Sequence, residues 1–228
     1  MHDGAITASR LLGALFESPV IAFESRGRTS AEALLPEEAA CVARAAPKRV
    51  SEFAAGRACA RRALAELEIM DFALRMGVDR EPLWPAHVTG SITHTGDYCG
   101  VVVARTSVVA SLGVDAERRD AVRAELWRHI ATGEERTVLA SLSDVRARER
   151  ATLLFSAKES FFKCQYPLTR EWLNFNDVSV SVEDGRFTVR PCTSLALEAL
   201  REPPWEGRFG VEDALIVTGM ALGPLNAT

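Results

Sequence analysis

The sequence predicts a mixed α+β fold, and three observations lead to this prediction. Apolar residues recur at helical spacing, most clearly over 151–163. Short apolar runs such as 99–104 are typical of buried strands. Asp184 and Gly185 separate two alternating segments, which is the sequence of a tight hairpin turn. Helices and strands are therefore expected in both halves of the chain, although no internal repeat indicates the topology.

Two helices and a loop are predicted early in the chain. Pro36 and the two glutamates after it indicate a helix start, because proline suits the first turn and acidic side chains face the positive end of the helix dipole. We expect this helix to end before Pro47. A second helix is predicted over 51–68, with Ser51 as its N-cap. Two prolines mark 77–90 as a loop.

Strands and helices are both predicted in the rest of the chain. The runs 99–104 and 108–114 predict two strands, and the short link between them predicts a hairpin. The later patterns predict three helices followed by three strands, over 121–130, 134–142, 151–163, 177–183, 186–190 and 211–222. We expect the tail from Gly223 to be frayed.

Composition limits the possible classes of function. The chain has 228 residues, enough for one substantial core or two small ones. A net charge of −4 argues against nucleic acid as a partner, so an anionic ligand must be held by a local basic cluster. The sequence has no run of 18 apolar residues, so we expect no membrane span. Residues 1–20 lack the pattern of a secretory signal, and we expect a cytoplasmic protein.

The cysteines and histidines do not predict a zinc site. The sequence has five cysteines, none in a Cys-x-x-Cys pair, and an odd number does not suit a disulfide framework. None of the four histidines forms a zinc-spaced pair. Zinc and structural disulfides are therefore not expected.

A pair of carboxylates follows an apolar strand pattern. Asp115 and Glu117 are two residues apart, so both side chains project to the same side of a strand. Neighbouring carboxylates repel unless a cation neutralises them, and an all-oxygen pair suits Mg²⁺. Arg118 and Arg119 could instead pair with these acids. Taken alone, the pattern favours such a solvated strand end.

A predicted helix carries a second group of charges. Glu159 and Lys163 are four residues apart with the glutamate first, which is the favoured order for a surface ion pair. Phe155 and Phe162 flank this face, so the face is not simply solvated. A carboxylate with two lysines, Lys158 being the second, suits an anion-and-metal site beside apolar rings. The pattern alone leaves both interpretations open.

Further candidates are polar or basic. The segment 90–96 reads Gly-Ser-Ile-Thr-His-Thr-Gly, and its small residues would leave backbone N–H groups accessible while His94 adds a donor for phosphate. Arginine suits phosphate oxygens, and the candidates are Arg49, Arg57, Arg61 and Arg80. A single histidine is more often structural, and most surface arginines are only solvated. None of these residues decides the function singly.

Taken in order, three segments resemble the signature motifs of the 4′-phosphopantetheinyl transferase superfamily. They are Gly-Ser-Ile-Thr-His at 90–94, Gly-Val-Asp-Ala-Glu at 113–117 and Phe-Ser-Ala-Lys-Glu-Ser-Phe-Phe-Lys at 155–163. Arg-Glu-Pro-Leu-Trp-Pro at 80–85 resembles the enterobactin-synthetase branch of the surfactin-type group. The resemblance covers about residues 45–165.

The resemblance implies two similar α/β halves related by pseudo-twofold symmetry, with coenzyme A in the cleft between them. We assign the 3′-phosphate and adenine contacts to an N-terminal half at 1–108, and the magnesium and catalytic motifs to a C-terminal half at 109–228. Two positions depart from the common pattern. Ala116 replaces a frequent isoleucine, whose side chain should point away from the metal, and Thr93 replaces a common serine but keeps the hydroxyl.

The resemblance also implies roles for individual residues. Asp115, Glu117 and Glu159 match the ligands of Mg²⁺, for which Mn²⁺ should substitute. Glu159 or a neighbouring carboxylate would take the proton from the carrier serine, and Lys163 matches the lysine at the pyrophosphate, with Lys158 beside it. The residues expected to contact coenzyme A in the N-terminal half, with His94 and Arg57 at the 3′-phosphate, are Arg49, Arg57, Arg80, Thr93 and His94.

The implied reaction moves the phosphopantetheine arm of coenzyme A onto a serine of an apo acyl or peptidyl carrier protein and releases 3′,5′-ADP. We expect a monomer, with carriers of fatty-acid, polyketide or nonribosomal-peptide synthesis all remaining open. Two other classes compete: a non-catalytic module that binds coenzyme A or a carrier, and a magnesium-dependent phosphohydrolase that uses water. The presence of all three carboxylates and Lys163 favours the transferase over the binding module.

Overall fold

The computed structural model describes residues 5–192, 200 and 202–223, and it confirms the mixed α+β class. Two separate sheets account for the strands, one with four and one with five. The chain divides into two compact units between Leu112 and Gly113, and the second unit ends at Leu222. The assignment of functions to halves 1–108 and 109–228 stays a prediction. No helix among the described residues is long and apolar enough to cross a membrane.

The first unit packs one long helix against an antiparallel sheet. Its elements in chain order are β1 (Ile6–Ala8), α1 (Arg10–Gly13), β2 (Ile21–Arg26), α2 (Pro36–Cys41), α3 (Pro47–Ala65), β3 (Val88–Thr95) and β4 (Tyr98–Arg105). The sheet order is β1-β2-β4-β3, and neighbouring strands are antiparallel. Helix α3 covers β2 and β4, where Leu64, Val101 and Val103 are fully buried.

Three sequence predictions for the first unit are corrected. Helix α3 begins at Pro47 rather than at Ser51, because proline has a suitable φ for the first turn and no N–H to leave unsatisfied there. The side chain of Ser51, inside the helix, donates to the Thr29 carbonyl instead of capping it. The segment 90–96, whose backbone N–H groups were expected to be accessible, lies mostly in β3, where the backbone pairs with β4.

The hairpin predicted around residues 105–107 is also wrong. Strand β4 pairs with β2 and β3, whereas the strand that follows it lies in the other sheet. The structure instead has a hairpin between β3 and β4, and Gly96 in its turn takes a φ of 61°. A positive φ suits glycine because it has no Cβ to clash with the backbone.

The second unit packs a long helix against the five-stranded sheet. Its elements are β5 (Ser111–Arg118), α4 (Trp127–Ile130), α5 (Gly133–Ala140), α6 (Asp144–Thr169), β6 (Val178–Glu183), β7 (Arg186–Pro191), β8 (Trp205–Glu212) and β9 (Leu215–Leu222). The sheet order is β5-β9-β8-β7-β6. The buried side of α6 includes Ala157, Phe161 and Cys164, and Phe161 stacks on Trp205 with ring centroids 4.9 Å apart.

The predictions for the second unit gave the correct types of element but less accurate boundaries. The β6–β7 hairpin is confirmed, with Gly185 at a φ of 76° in its turn. Helix α6 is much longer than the predicted 151–163, and α4 begins only at Trp127. The strand predicted over 211–222 is the end of β8 and all of β9, separated by a turn. The predicted frayed tail beyond Gly223 lies outside the described residues.

Candidate active site

Strand β5 presents two acidic side chains from one of its faces. Asp115 is buried and Glu117 is half-buried, and their spacing of two residues places them on the same side. Ala116 between them is fully buried on the other side. The two carboxylates therefore lie side by side at the end of a rigid strand, where the sequence placed them.

Lys163 on helix α6 meets the first of these acids. Its Nζ donates to Asp115 Oδ1 at 2.6 Å and to the Val114 carbonyl at 3.2 Å. The lysine side chain is 27% exposed and the aspartate 6%. The surface pair of Glu159 with Lys163 that the spacing suggested is thus replaced by a pair with β5. Arg119, the alternative partner for the acids, instead pairs with Glu149 at 2.6 Å.

The charges in this group shift one another's proton affinities. Burial raises the pKa of Glu159, the Lys163 ammonium opposes that rise, and the Asp115 carboxylate adds to it. Burial lowers the pKa of Lys163, but the charges of Asp115, Glu159 and Glu117 more than reverse this, so its net pKa lies above the usual value. A lysine held charged among three acids provides a fixed positive charge at this place.

The donor chemistry fits a hard cation. The described residues contain no cluster of three or more His, Cys, Asp or Glu side chains already arranged around a metal ion. Mg²⁺ commonly takes only one or two protein carboxylates and completes its shell with water and phosphate oxygens. Asp115 and Glu117 offer carboxylate oxygens on one strand face, and the charge of Asp115 acts on the nearby Glu159. The residues present therefore suit magnesium bound together with a phosphate ligand.

Lys158 has a different environment from the one predicted for it. Its Nζ donates to Glu135 Oε2 at 2.7 Å, to the Phe175 carbonyl at 2.8 Å and to the Ile130 carbonyl at 3.0 Å. Burial lowers the pKa of Lys158, while Glu135 opposes that shift. All three N–H donors are used inside the protein, so the predicted contact to coenzyme A gives way to a structural role. Lys158 ties α6 to α4, α5 and the segment before β6.

An aromatic cavity lies next to Glu159. It has a volume of about 330 Å³, and its walls include Phe162, Trp172 and Phe175 together with Glu159. Phe162 meets Trp172 edge to face with centroids 5.0 Å apart. Of the two flanking rings that the sequence indicated, Phe162 forms part of the cavity wall, and Phe155 stacks on Phe175, which also lines the cavity.

In the first unit, His94 and Arg49 meet at an acidic residue. His94 Nε2 lies 3.2 Å from Glu52 Oε2, Arg49 Nη1 lies 3.7 Å from the same oxygen, and the arginine and histidine nitrogens are 3.4 Å apart. Lys48 also reaches Glu52, at 3.8 Å. A cavity of about 330 Å³ is lined by Lys48, Glu52 and His94. Several cationic or potentially cationic groups thus surround one carboxylate beside an open cavity.

Arg57 is more buried than a simple phosphate ligand would be. Its Nε donates to the Leu74 carbonyl at 2.7 Å, and its guanidinium lies 3.8 Å from the Phe53 ring centroid. Burial lowers its pKa to about 10, with the Glu38 charge opposing and the nearby Arg49 charge adding to the shift. The influence of Arg49 places the two arginines in one electrostatic environment. The two terminal nitrogens of the Arg57 guanidinium carry N–H groups that could donate to a phosphate oxygen.

The remaining predicted residues have other surroundings. Thr93 is buried within β3, next to His94. Arg80 lies exposed in a turn with a φ of 67°. Arg61 pairs at 2.5 Å with Glu38, whose carboxylate is fully buried. The structure thus brings Arg49 and His94 together. Arg57 is related to them through the charge of Arg49, which acts on its pKa, and Arg61 belongs to a structural ion pair.

Sequence reasoning missed two acidic residues that organise these clusters. Glu52 follows Lys48 and Arg49 by four and three residues, which is helical pair spacing. Glu135 follows Thr132 by three residues, and the two form a capping box at the start of α5. Both signals are visible in the sequence. Their partners His94 and Lys158 are distant in sequence, so the spacing alone could not connect them.

Two protein-family models match the chain. One, described as the 4′-phosphopantetheinyl transferase N-terminal domain, matches residues 37–104. The other, described as the 4′-phosphopantetheinyl transferase superfamily, matches residues 111–213. Together they cover Arg49, Arg57 and His94 in the first match, and Asp115, Glu159 and Lys163 in the second.

Several characterised proteins are similar to the chain. The 4′-phosphopantetheinyl transferase PptT of Mycobacterium tuberculosis is 35% identical over 97% of this chain and 100% of its own length. The 4′-phosphopantetheinyl transferase Svp of Streptomyces mobaraensis is 41% identical over 83% of this chain and 78% of its own. Enterobactin synthase component D of Escherichia coli is 39% identical over 51% of this chain and 54% of its own.

Proposed function

Because the chain belongs to the 4′-phosphopantetheinyl transferase superfamily, we propose that it is a Mg²⁺-dependent enzyme that modifies apo carrier proteins and releases 3′,5′-ADP. Coenzyme A is its substrate and a carrier protein is its partner, as the names of the relatives support. The observation that carries the proposal is the meeting of Asp115 and Lys163, with Glu117 and Glu159 in the same electrostatic group. We also propose a cytoplasmic monomer without nucleic-acid or membrane partners.

The 3′-phosphate of coenzyme A is assigned to the basic cluster of the first unit. His94 lies within hydrogen-bonding distance of Glu52 and Arg49 within ion-pair distance of it, and both could donate to phosphate oxygens in its place. Arg57 adds a second guanidinium, which interacts electrostatically with Arg49. The cavity beside His94 supports this assignment because it offers room for a ligand. Thr93 and Arg80 are assigned to contacts with the rest of the nucleotide.

The carboxylates of the second unit are assigned to the metal. Asp115, Glu117 and Glu159 would hold Mg²⁺, which when bound supplies positive charge to the phosphate oxygens. Mn²⁺ is expected to substitute, since both ions accept oxygen ligands in octahedral geometry. Burial raises the pKa of Glu159 and the Asp115 charge adds to the rise, and a cation at this position would oppose both effects.

Lys163 is assigned to the pyrophosphate. Two of its described hydrogen bonds are made to Asp115 and to the Val114 carbonyl, and a phosphate oxygen could accept from the third N–H. Negative charge builds on the phosphate oxygens as the carrier serine attacks the β-phosphorus and 3′,5′-ADP leaves. A positive charge already in place stabilises that state without reorganisation.

Glu159 is the proposed base for the carrier serine. A carboxylate placed beside the carrier serine can accept its proton, and Glu159 lies half-buried on α6 at the wall of the aromatic cavity. Lys158, the adjacent lysine, holds α6 through Glu135 rather than touching the ligand. The proton of the serine hydroxyl thus passes to Glu159 or to a neighbouring carboxylate while Lys163 faces the pyrophosphate.

Mass spectrometry of apo carrier proteins tests the proposal. The protein is incubated with coenzyme A and Mg²⁺ and with a panel of fatty-acid, polyketide and nonribosomal-peptide carriers. We expect at least one carrier to gain the mass of one phosphopantetheine group. The same carrier with its serine changed to alanine, and a sample with the metal chelated, provide the controls.

The same experiment separates the competing classes. Release of 3′,5′-ADP without any carrier would indicate a phosphohydrolase that uses water. Binding of coenzyme A with neither product would indicate a non-catalytic module. Either result would contradict the proposed transferase.

A further inference from the structure

Strand β5 touches the backbone of helix α6 at Gly113. A Cβ atom built on Gly113 would lie 1.9 Å from the Ser160 carbonyl oxygen and 2.8 Å from the Cys164 backbone nitrogen. No side chain fits in that space, because real Cβ atoms do not approach closer than about 3 Å. Gly113 and Asp115 are two residues apart and therefore share a face of the strand. The close approach at Gly113 thus sets the distance at which the next residue on that face, Asp115, meets Lys163.

Strand β9, the neighbour of β5, holds the same helix through hydroxyl groups. Thr218 Oγ1 donates to the Ser156 carbonyl at 2.9 Å. Thr218 Oγ1 also pairs with the hydroxyls of Ser156 at 2.9 Å and Ser160 at 2.5 Å, and Ser160 Oγ donates to the Thr218 carbonyl at 3.2 Å. All three residues are fully buried, so water does not compete for these bonds. One threonine therefore connects to two successive turns of α6.

The serine positions and the proposed catalytic positions belong to neighbouring stripes of one helix. Ser156 and Ser160 each precede a charged residue, Glu159 and Lys163 respectively, by three positions. Residues three apart are neighbours on a helix surface, so holding one stripe sets the direction of the other. A shift of α6 by one residue would move Lys163 by about 1.5 Å along the axis and rotate it by about 100°. Such a shift would also break the hydroxyl bonds and bring a different part of the helix backbone onto Gly113.

We propose that Gly113 and Thr218 are positioning residues of the transferase, which set the register of α6 on the sheet and hence the places of Glu159 and Lys163 opposite Asp115. The inference rests on the proposed function of those three residues. Gly113 determines how near the helix comes to the sheet. Thr218 determines the rotation of α6 and the position of α6 along the helix axis.

The test uses Thr218→Val, which keeps the shape of the side chain and removes the hydroxyl. Misplacement of reacting groups by about 1 Å can lower a rate by about 10²-fold, so we expect kcat for carrier modification to fall by about 10- to 100-fold. The KM for coenzyme A should change much less. Thr218→Ser restores the hydroxyl and should recover most of kcat. Ser160→Ala removes one of the two serine hydroxyls that bond Thr218 and should give an intermediate loss, which keeps the test usable if Thr218→Val does not fold.

Thr152→Val is the matched control. Thr152 is also a fully buried threonine whose hydroxyl bonds α6, but it joins the Val122 N–H and the Arg148 carbonyl, away from Glu159 and Lys163. The Thr152→Val variant should have its melting temperature lowered about as much as Thr218→Val, while kcat of the folded protein stays unchanged. Equal melting temperatures with unequal kcat would separate positioning from stability.

A second readout does not depend on activity. The sequence has only three lysines, and their acetylation by acetic anhydride can be followed separately by mass spectrometry. In Thr218→Val, Lys163 should react severalfold faster than in the wild type because α6 no longer holds it against Asp115. Lys48, which is 82% exposed, serves as the fast reference and buried Lys158 as the slow one.

Two outcomes would overturn the inference. One is a Thr218→Val protein with wild-type kcat; the other is a lowered kcat that Thr218→Ser fails to recover while Lys163 acetylation stays unchanged. Failure of the wild type to modify any carrier would instead contradict the proposed function, whatever the variants do.

Discussion

Lys163 Nζ lies 2.6 Å from Asp115 Oδ1, so helix α6 and strand β5 meet through an ion pair whose aspartate is buried. The sequence spacing had favoured Glu159 as the partner of this lysine. The observed pair instead connects two of the three segments that resemble the family motifs. This pairing has consequences for both activity and stability.

Lys163→Met should lower kcat by about 10²-fold or more, because it removes a positive charge from the proposed pyrophosphate site. The variant should also lose about 1–2 kcal/mol of stability, since a charged hydrogen bond is worth about 1.5–3 kcal/mol and the partial exposure of the lysine reduces that value. Carrier modification kinetics and urea unfolding measure the two effects. The stability loss differs from what an exposed surface pair would give.

Arg119→Met provides the control for Lys163→Met. Arg119 and Glu149 also form a pair at 2.6 Å, but both side chains are substantially exposed. Removal of the Arg119 side of this pair should lower the free energy of unfolding by well under about 1 kcal/mol and leave kcat unchanged. A Lys163→Met protein with unaltered kcat would remove Lys163 from the active site.

The three carboxylates should each be required for transfer. Asp115→Asn, Glu117→Gln and Glu159→Gln keep the shape of each side chain and remove its charge, so each should lower kcat/KM by at least about 10²-fold. Higher Mg²⁺ or Mn²⁺ concentrations should restore part of the activity. Glu149→Gln, on the exposed side of α6, is the control and should behave as wild type. Near wild-type turnover in both Asp115→Asn and Glu159→Gln would refute the assignment.

Arg57→Ala should discriminate coenzyme A from dephospho-coenzyme A. Loss of a charge-assisted bond to the 3′-phosphate costs about 1.5–3 kcal/mol, so affinity for coenzyme A should fall about 10- to 150-fold while affinity for the dephospho form changes little. Calorimetry on the folded variant measures both. The fold will also be less stable, because the Leu74 carbonyl loses its donor.

Arg62→Ala is the matched control for Arg57→Ala. Arg62 lies on the same helix and places its guanidinium 5.7 Å from the Phe23 ring centroid. It should leave the affinities for both nucleotides unchanged. Equal losses of affinity for both nucleotides in Arg57→Ala would assign that arginine a purely structural role.

Lys158→Met should act on stability rather than on binding of coenzyme A. It leaves the buried Glu135 carboxylate without its cation, and breaking a buried pair from one side costs about 3–5 kcal/mol. The double variant Lys158→Met, Glu135→Gln should recover part of that loss, as urea unfolding will show. A fall in affinity for coenzyme A at unchanged stability would return Lys158 to the ligand site.

Local patterns were sufficient for several elements and for the chemistry. The turn at Asp184 and Gly185 and the two alternating strands around it depend on neighbouring residues only, and the β6–β7 hairpin is as predicted. The start of α2 at Pro36 was likewise predicted from the residues beside it. The spacing of Asp115 and Glu117 placed both acids on one strand face. The order of three short motifs indicated the superfamily, to which the chain belongs.

Strand pairing and charge pairing were decided by contacts between residues far apart in sequence. The small residues of 90–96 were expected to leave backbone N–H groups accessible, but the backbone of β4 pairs with this segment and makes most of it a strand. Lys158 and Lys163 belong to the same predicted helix, yet one is enclosed by Glu135 and two carbonyls while the other meets Asp115. The sequence by itself determined which residue types are available and on which face of an element they lie. The tertiary structure decided which charges meet, because burial makes an unpaired charge costly and each lysine must be matched to an acceptor that the fold brings near.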